Sequence, residues 1–264
     1  MVEKKAEAGF TYFDVALPSR GLPYGDKIGE TVKVRLYSLT EEKMFADTRE
    51  DEQNDEKLTA ILSNVLKDID ANDLTLGDRE FLLFWERINS YGKDYLAEVV
   101  CPICKKTTTV TIDIAELETI KLPEEYKEPF KVKLSDQNEV TLRLIRGKDE
   151  LVVENYIHAM KESQWFVRYA VSIVAINGKE IDNVHEKVLF VKTLTPKEFG
   201  KIRAFHSKYV HGKDMKSKVK CSECQEVSVV GVPFQAEFFV PTRMFEGDIR
   251  EDICAVVLPE NESK

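Results

Sequence analysis

The sequence lacks long apolar segments, an excess of positive charge and the common motifs of catalytic sites. No segment approaches the about 18 uncharged apolar residues that a membrane-spanning helix requires. The formal net charge of −9 at pH 7 argues against nucleic-acid binding. Neither a glycine-rich phosphate-binding loop nor a Gly-x-Ser-x-Gly nucleophile motif is present. We therefore expect a protein that has no membrane span and is not an enzyme.

Histidine is also scarce, with four residues at separated positions. His206 and His211 fall in one predicted helix, but a spacing of five residues places them on different faces. His158 follows an apolar stripe, where a hydrogen-bonded imidazole is the ordinary role. The histidines therefore indicate neither a general base nor a metal site.

Cysteine is rare, but four of the five cysteines form two Cys-x-x-Cys pairs. The first pair is Cys101 and Cys104, and the second is Cys221 and Cys224. In each pair the second cysteine precedes polar turn residues and then a β-branched run, the pattern of a zinc knuckle that leads into a strand. Four thiolates suit one tetrahedral Zn²⁺. The sequence therefore predicts one structural zinc per chain, bound by all four cysteines.

The two pairs have other interpretations. A redox Cys-x-x-Cys normally occurs once, beside a βαβ unit. Disulfides would need an oxidising compartment, and no apolar signal segment opens the chain. An iron–sulfur cluster also takes four cysteines and stays open as the alternative to zinc. Cys254, the fifth cysteine, is expected to be a small buried apolar residue.

The distance between the pairs predicts the domain organisation. Cys104 and Cys221 are separated by 116 residues, far more than in most zinc sites. One shared metal would hold together the ends of a long insertion. We predict an α+β fold: a zinc-ribbon-like β-core pinned by two Cys-x-x-Cys knuckles, with an N-terminal strand and helical unit and a helical insertion. The predicted boundaries are 1–92 for the N-terminal unit, 93–146 and 213–243 for the halves of the β-core, 147–212 for the insertion and 244–264 for an acidic tail.

Hydrophobic periodicity and capping signals predict the individual elements. Alternating apolar residues predict strands over 10–17, 31–36, 95–100, 107–112 and 139–145. Helices are predicted over 58–69, 75–92, 147–160, 164–174 and 195–211, and Thr75 and Thr195 are expected to cap two of them. Asn177 and Gly178 predict a tight turn. The helix over 147–160 is expected to bury Leu151, Val152, Tyr156, Ile157 and Met160.

Three segments of the sequence are candidates for contacts with partners. The loop over 18–25, rich in proline and glycine, either presents Arg20 to a neighbour or caps the protein's own sheet. The lysines before the second knuckle are expected in a solvated loop, with contact to phosphate as the alternative. These lysines are Lys213, Lys216, Lys218 and Lys220. The acidic tail contains apolar residues that suit docking on another subunit, namely Ile249, Ile253, Val256, Val257 and Leu258.

The order of several short motifs resembles the T4-like bacteriophage baseplate hub-subunit proteins of contractile tails. These motifs are Leu17-Pro18-Ser19-Arg20-Gly21, the helix end Glu86-Arg87-Ile88-Asn89-Ser90-Tyr91-Gly92, the first knuckle and the turn Ile176-Asn177-Gly178-Lys179. The resemblance covers roughly residues 10–240 and depends on order and spacing, since no single motif is specific. The second knuckle is inferred from this sequence alone.

The resemblance implies a structural or assembly component of a contractile-tail phage baseplate hub. It implies assembly in the host cytoplasm, a final location in the virion tail, oligomerisation there and other baseplate hub or tail proteins as partners. A metal clamp suits a particle that leaves a reducing cytoplasm, because it does not depend on a disulfide. Two alternatives are a cytoplasmic zinc-ribbon adaptor for a nucleic-acid enzyme and an assembly chaperone absent from the mature virion.

Overall fold

The computed structural model describes residues 9–46, 55–233 and 238, and the chain combines helices with small antiparallel sheets in these residues. The α+β class is therefore confirmed. The helices are α1 Leu39–Ala46, α2 Asp55–Val65, α3 Leu76–Tyr91, α4 Gly147–Met160, α5 Gln164–Ala170, α6 Val184–Thr193 and α7 Pro196–Lys208. The strands are β1 Tyr12–Ala16, β2 Thr31–Arg35, β3 Asp94–Val100, β4 Thr107–Asp113, β5 Thr119–Ile120, β6 Phe130–Lys133, β7 Glu139–Leu142, β8 Ile173–Ile176, β9 Lys179–Glu180, β10 Gly212–Lys213, β11 Lys216–Lys220 and β12 Val227–Gly231.

The strands form one four-stranded sheet, in the order β6-β7-β8-β9, and four two-stranded sheets. The two-stranded sheets pair β1 with β2, β3 with β4, β5 with β10, and β11 with β12. Asn177 and Gly178 connect β8 to β9 with positive φ angles of 51° and 77°, as a tight hairpin turn requires. This turn and the strands β3, β4 and β7 lie where the sequence predicts them.

The buried apolar residues form two clusters. The first, called here the knuckle cluster, contains buried residues from 15–117 and 219–238 and includes the β3–β4 and β11–β12 hairpins. The second, called here the helical cluster, contains buried residues from 122–209 and includes the faces of α4 to α7. The chain thus leaves the knuckle cluster once and returns to it with the second pair of cysteines. The domain boundaries given above stay a prediction.

Capping side chains determine where two central helices begin. The Thr75 hydroxyl accepts a hydrogen bond from the backbone N–H of Asp78 at the start of α3, and the Thr195 hydroxyl does the same for Glu198 at the start of α7. Gly92 follows α3 with a positive φ of 91°. The capping signals in the sequence therefore locate both helix starts correctly.

Several sequence predictions were wrong in detail. The helix predicted to reach residue 174 ends at Ala170, because the β-branched run that follows pairs with β7 as strand β8. Helix α6 was not predicted. Helix α7 ends at Lys208, so His211 lies outside it. Among residues 9–46, 55–233 and 238, no helix has both the length and the apolar character needed to cross a membrane.

The buried side of α4 also differs from the prediction. Val152 and Met160 are 38% and 51% exposed, whereas Val153 is buried. Asp149 and Glu150 are buried as well, and they pair with Arg143 and Arg168. A simple apolar stripe does not account for paired charges on the inner face. The inner face of α4 therefore contains ion-paired charges as well as apolar residues.

A buried polar network fixes the loop over 18–25 to the start of α3. The Ser19 backbone N–H donates to Asp78 Oδ1 at 3.0 Å, and the Tyr24 hydroxyl donates to Asp78 Oδ2. Thr75 Oγ1 lies 2.7 Å from His211 Nε2, which brings in the segment after α7. Ser19 and Tyr24 are both buried, so this part of the loop packs on the protein itself, while contact of Arg20 with a neighbour stays a prediction.

Two glycines permit the close approach of α3 to β10. A Cβ atom at Gly77 would lie 2.3 Å from the His211 carbonyl oxygen, and one at Gly212 would lie 2.7 Å from the Gly77 carbonyl oxygen. Both distances are far below van der Waals contact. This contact positions the chain just before β11 and therefore helps to bring the second pair of cysteines back to the first.

Candidate metal centre

Each Cys-x-x-Cys pair lies in the turn of an antiparallel hairpin, and the two hairpins have the same register. In the first hairpin, Val100 of β3 pairs with Thr107 of β4. In the second, Lys220 of β11 pairs with Val227 of β12. The residue before the first cysteine thus pairs with the residue six positions after that cysteine in both hairpins. The repeated local pattern in the sequence therefore corresponds to a repeated backbone structure.

The two cysteine turns have the same hydrogen bonds. The Cys101 N–H donates to the Lys106 carbonyl at 2.9 Å, and the Lys105 N–H donates to the Cys101 carbonyl at 2.9 Å. The equivalent two bonds of Cys221 are both 3.0 Å. Lys105 and Gln225, at equivalent positions, have positive φ angles of 62° and 61°. The two Cys-x-x-Cys turns therefore share one backbone structure, at the positions where the sequence predicts knuckles.

The four sulfur atoms lie close to one another. The Sγ atoms of Cys101 and Cys224 are 3.8 Å apart, and those of Cys104 and Cys221 are also 3.8 Å apart. All four Sγ atoms lie within 4.8 Å of one another. A tetrahedron with metal–sulfur distances of about 2.3 Å has edges of about 3.8 Å. Since disulfide sulfurs are about 2.05 Å apart, these distances fit a metal site and not a pair of disulfides.

Contacts between the two knuckles surround the sulfur atoms. Cys101 and Cys221 are buried, and Cys104 and Cys224 are half-buried. Lys106 Nζ lies 2.8 Å from Glu223 Oε2, and the hydroxyl oxygens of Thr108 and Ser222 are 2.6 Å apart. Each contact joins one hairpin to the other. The protein therefore aligns the two hairpins around the sulfur atoms.

The thiols have different affinities for protons. Backbone hydrogen bonds from Cys104 and Ile103 lower the pKa of Cys101 to about 7. A backbone hydrogen bond from Glu226 lowers the pKa of Cys224, but burial and the neighbouring cysteines raise that pKa to about 12 overall. Four thiolates so close together repel one another. A bound cation would supply the positive charge that allows all four to ionise.

The stacked faces of the hairpins were not predicted from the sequence. Val99 and Val110 of the first hairpin and Val219 and Val230 of the second are all buried in the knuckle cluster. Their alternation with exposed residues is the signal that would have located this interface. Beyond β12, the Pro233 carbonyl accepts a hydrogen bond from the Tyr95 hydroxyl at 3.0 Å. The chain after the second hairpin therefore contacts the first.

The other candidate residues lie apart from the sulfur atoms. His206 and His211 bond Ser172 and Thr75, and His185 bonds Tyr156. Lys213, expected in a solvated loop, donates to the Leu117 carbonyl. Within the part of the chain that the structure describes, the four cysteines are the only group of three or more histidine, cysteine or acidic residues placed to hold a metal. Cys254 and the apolar residues of the tail lie outside the described residues.

A comparison with protein families gives one match. The family model described as T4 bacteriophage base plate protein matches residues 16–240, which include both knuckles and most of the chain. No match was found among the curated proteins or among the solved structures. The family match agrees with the resemblance inferred from the order of the short motifs. The chain therefore belongs to the family of T4 bacteriophage base plate proteins.

Proposed function

We propose that this protein is a structural or assembly component of the baseplate hub of a contractile-tail phage. Family membership supports a structural role in a phage baseplate, the virion tail as its location and other tail proteins as its partners. Assignment to the hub, contractile tails and oligomerisation in the assembly follow from the motif resemblance and belong to the proposal. Assembly in the host cytoplasm belongs to it as well.

The metal in this proposal is one structural zinc per chain, bound by Cys101, Cys104, Cys221 and Cys224. The observation that carries it is the arrangement of the four sulfur atoms, which all lie within 4.8 Å of one another and of which two pairs are 3.8 Å apart, the edge length of a ZnS₄ tetrahedron. Two hairpins joined at such a site would form a zinc-ribbon-like unit. An iron–sulfur cluster is the alternative for the same ligands.

The proposed zinc would stabilise the fold and take no part in a reaction. Four thiolates complete a tetrahedral site, so substrate or water would have no open position on the metal. The metal would hold together two segments separated by 116 residues. We infer that the protein acts through protein–protein contacts and turns over no substrate. A rigid knuckle unit would present defined surfaces to neighbouring subunits.

Deleting the gene and restoring it with variants tests this function. A null mutant should yield heads and free baseplate parts but no infectious tails, and the wild-type gene should restore infectivity. Cys221→Ser should fail to restore it, whereas Cys254→Ser should succeed, because Cys254 is the one cysteine that belongs to neither Cys-x-x-Cys pair. Normal tails from the null mutant would contradict the proposed role.

Mass spectrometry of purified virions separates a resident subunit from an assembly chaperone. A resident subunit should be present in a fixed ratio to the other baseplate proteins, and a chaperone should be absent. Binding of the pure protein to DNA, with strong dependence on salt, would instead favour the nucleic-acid adaptor.

A further inference from the structure

The outer face of the second hairpin has a charge pattern that the metal site does not require. Lys216, Lys218 and Lys220 are exposed on alternate positions of β11. In a strand, such side chains point to the same face about 7 Å apart. No carboxylate lies within ion-pair distance of these three lysines in the described part of the chain. The lysines expected in a loop therefore form an ordered row on a strand, in a protein with a net charge of −9.

An uncharged edge strand lies beside this row. Val227 and Val229 of β12 are 62% and 56% exposed, and they share the outer face with the lysines because Lys220 pairs with Val227 and Lys218 with Val229. Within the described residues, β12 pairs only with β11. Edge strands are usually protected by charged residues or proline. Residues 227–231 contain neither.

The backbone of β12 has hydrogen-bonding groups available along this edge. At one end of the hairpin the Cys221 N–H donates to the Glu226 carbonyl, and at the other end the Val232 N–H donates to the Met215 carbonyl. Every second residue from 226 to 232 therefore forms the hydrogen bonds to the strand that contains β11. It follows from this alternation that the N–H and C=O groups of residues 227, 229 and 231 point away from β11. These groups would bond an added strand in the same way as β12 bonds β11.

A groove runs beside this edge, between β12 and β3. Its volume is about 400 Å³. Its walls include Val99 and Val100 on one side and Val229 and Val230 on the other. A strand added to β12 would direct every second side chain towards this groove, which suits small apolar residues. The remaining side chains would lie on the outer face, near the lysine row.

From these observations we propose that the free edge of β12 binds an extended, acidic segment of a neighbouring tail protein by β-strand addition. The segment would alternate apolar residues, which enter the groove, with carboxylates, which face the three lysines. The lysines of β11 would lie two strands away from the added segment, at a distance of about 10 Å. A lysine and a glutamate side chain together can span this distance. Backbone bonding and an apolar groove suit a peptide strand better than nucleic acid. The identification of the partner as a tail protein rests on the proposed function, whereas the evidence for the binding surface itself does not.

A peptide-binding assay on the purified full-length protein tests the proposal. The probe is a fluorescein-labelled peptide of about eight residues that alternates glutamate and valine, and its control alternates lysine and valine. We expect the acidic probe to bind and the basic one not to bind. Salt should weaken the binding, because exposed charges are screened. Equal binding of both peptides would overturn the proposal.

Variants of the two elements locate the site. Reversing the row with Lys216→Glu, Lys218→Glu and Lys220→Glu should weaken binding of the acidic probe about tenfold. The matched control reverses three exposed lysines elsewhere, Lys121→Glu, Lys179→Glu and Lys197→Glu, and should bind as the wild type does. Val229→Pro should abolish binding, because proline removes an outward N–H group without removing a bond to β11. Unchanged binding by either the lysine-row variant or the proline variant would overturn the proposal.

Two further measurements test the competing occupants. If a double-stranded DNA fragment binds, and the lysine-row variant loses this binding while Val229→Pro keeps it, the row serves nucleic acid and the proposal fails. If sedimentation shows a dimer that Val229→Pro converts to a monomer, the occupant is a second copy, which also overturns the proposal. The assays use purified protein, so their result is independent of whether the null mutant assembles tails.

Discussion

The two hairpins that contain the cysteines and the helical cluster have different amounts of regular structure. The hairpins of the knuckle cluster are separate two-stranded sheets, and such sheets have little stability of their own. The helical cluster instead contains a four-stranded sheet, four helices and a series of aromatic contacts. Among these, Phe199 packs against Trp165 and Tyr169 with ring centres 4.6 Å and 5.1 Å apart.

The difference indicates where the proposed metal would add most to the stability of the fold. The helical cluster buries apolar residues from its sheet and from four helices, whereas the hairpins bring only a few valines to their shared face. On our proposal, zinc supplies the missing stability at the hairpins. The two clusters should therefore respond differently to metal removal, core substitution and pH.

Loss of the metal site should have the largest effect, confined to one cluster. Closing a loop of over 100 residues contributes on the order of 4–5 kcal/mol through chain entropy. Cys221→Ser, or a chelator, should lower the free energy of unfolding by at least this order. Hydrogen exchange should then accelerate in β3, β4, β11 and β12 and change little in α5, α6 and α7. Cys254→Ser is the control, and equal acceleration in both clusters would contradict the division.

A core substitution in the helical cluster should act independently of the metal. Ile202 is fully buried in α7, so Ile202→Ala should reduce the free energy of unfolding by about 3 kcal/mol through lost burial and a cavity. Leu189→Ala, at a half-exposed position of α6, is the control and should have little effect. Denaturant titration with and without a chelator should give the same loss for Ile202→Ala. A loss that disappears without metal would show that the clusters do not behave separately.

The two clusters should also have opposite responses to pH. Burial raises the pKa of Glu86, in the knuckle cluster, to about 8. The unfolded chain loses this proton first, so stability should fall as the pH rises from about 4.5 to about 8. Burial lowers the pKa of His206, in the helical cluster, to about 4. Here the unfolded chain gains the proton first, so stability should fall as the pH drops from about 6.5 to about 4.

Glutamine variants test these two slopes. Glu86→Gln should remove the loss of stability at alkaline pH and His206→Gln the loss at acidic pH, each worth a few kcal/mol at most. Denaturant titrations at several pH values would measure both. Glu125→Gln and His158→Gln, at exposed positions, are the matched controls and should leave the pH profile unchanged. If stability still changes with pH in the same way in Glu86→Gln or His206→Gln, other groups cause the dependence.

The smallest effect on stability is expected at the contact between the loop over 18–25 and the segment after β5. Arg20 Nη1 lies 2.6 Å from Glu124 Oε1, but the Glu124 side chain is 85% exposed. A screened pair of this kind contributes no more than about 1 kcal/mol. Arg20→Ala and Glu124→Ala should therefore give similar small shifts in the thermal midpoint. If only Arg20→Ala also reduces incorporation into tails, Arg20 contacts a neighbour as well.

The sequence predicts those features that depend on local spacing. Four cysteines at knuckle spacing, the capping threonines and the Asn177-Gly178 turn each act over a few residues, and the structure places them as expected. The sequence gives no comparable signal for the buried charged residues of α3. Asp78 and Arg87 are buried because distant or following backbone groups bond them. Ser19 lies 59 residues before Asp78 and is therefore outside any local window of the sequence.

The same limit explains the errors at α5 and the lysine row. The apolar run after Ala170 suits a helix or a strand, and only its pairing with β7 decides between them. The lysines before the second knuckle look like a solvated loop because charged residues alternate there with few apolar ones. Their pairing with β12 makes them a strand. Both errors arise where pairing with another strand determines the local structure.

X-ray absorption at the zinc edge, combined with metal analysis of the purified full-length protein, tests the central claim most directly. We expect one zinc per chain, with four sulfur neighbours at about 2.3 Å and no nitrogen or oxygen ligand. Substituting any one of the four cysteines by serine should lower the sulfur count or the zinc content. Two metals per chain, iron in place of zinc, or a metal with fewer than four sulfur neighbours in the wild-type protein would contradict the proposed site.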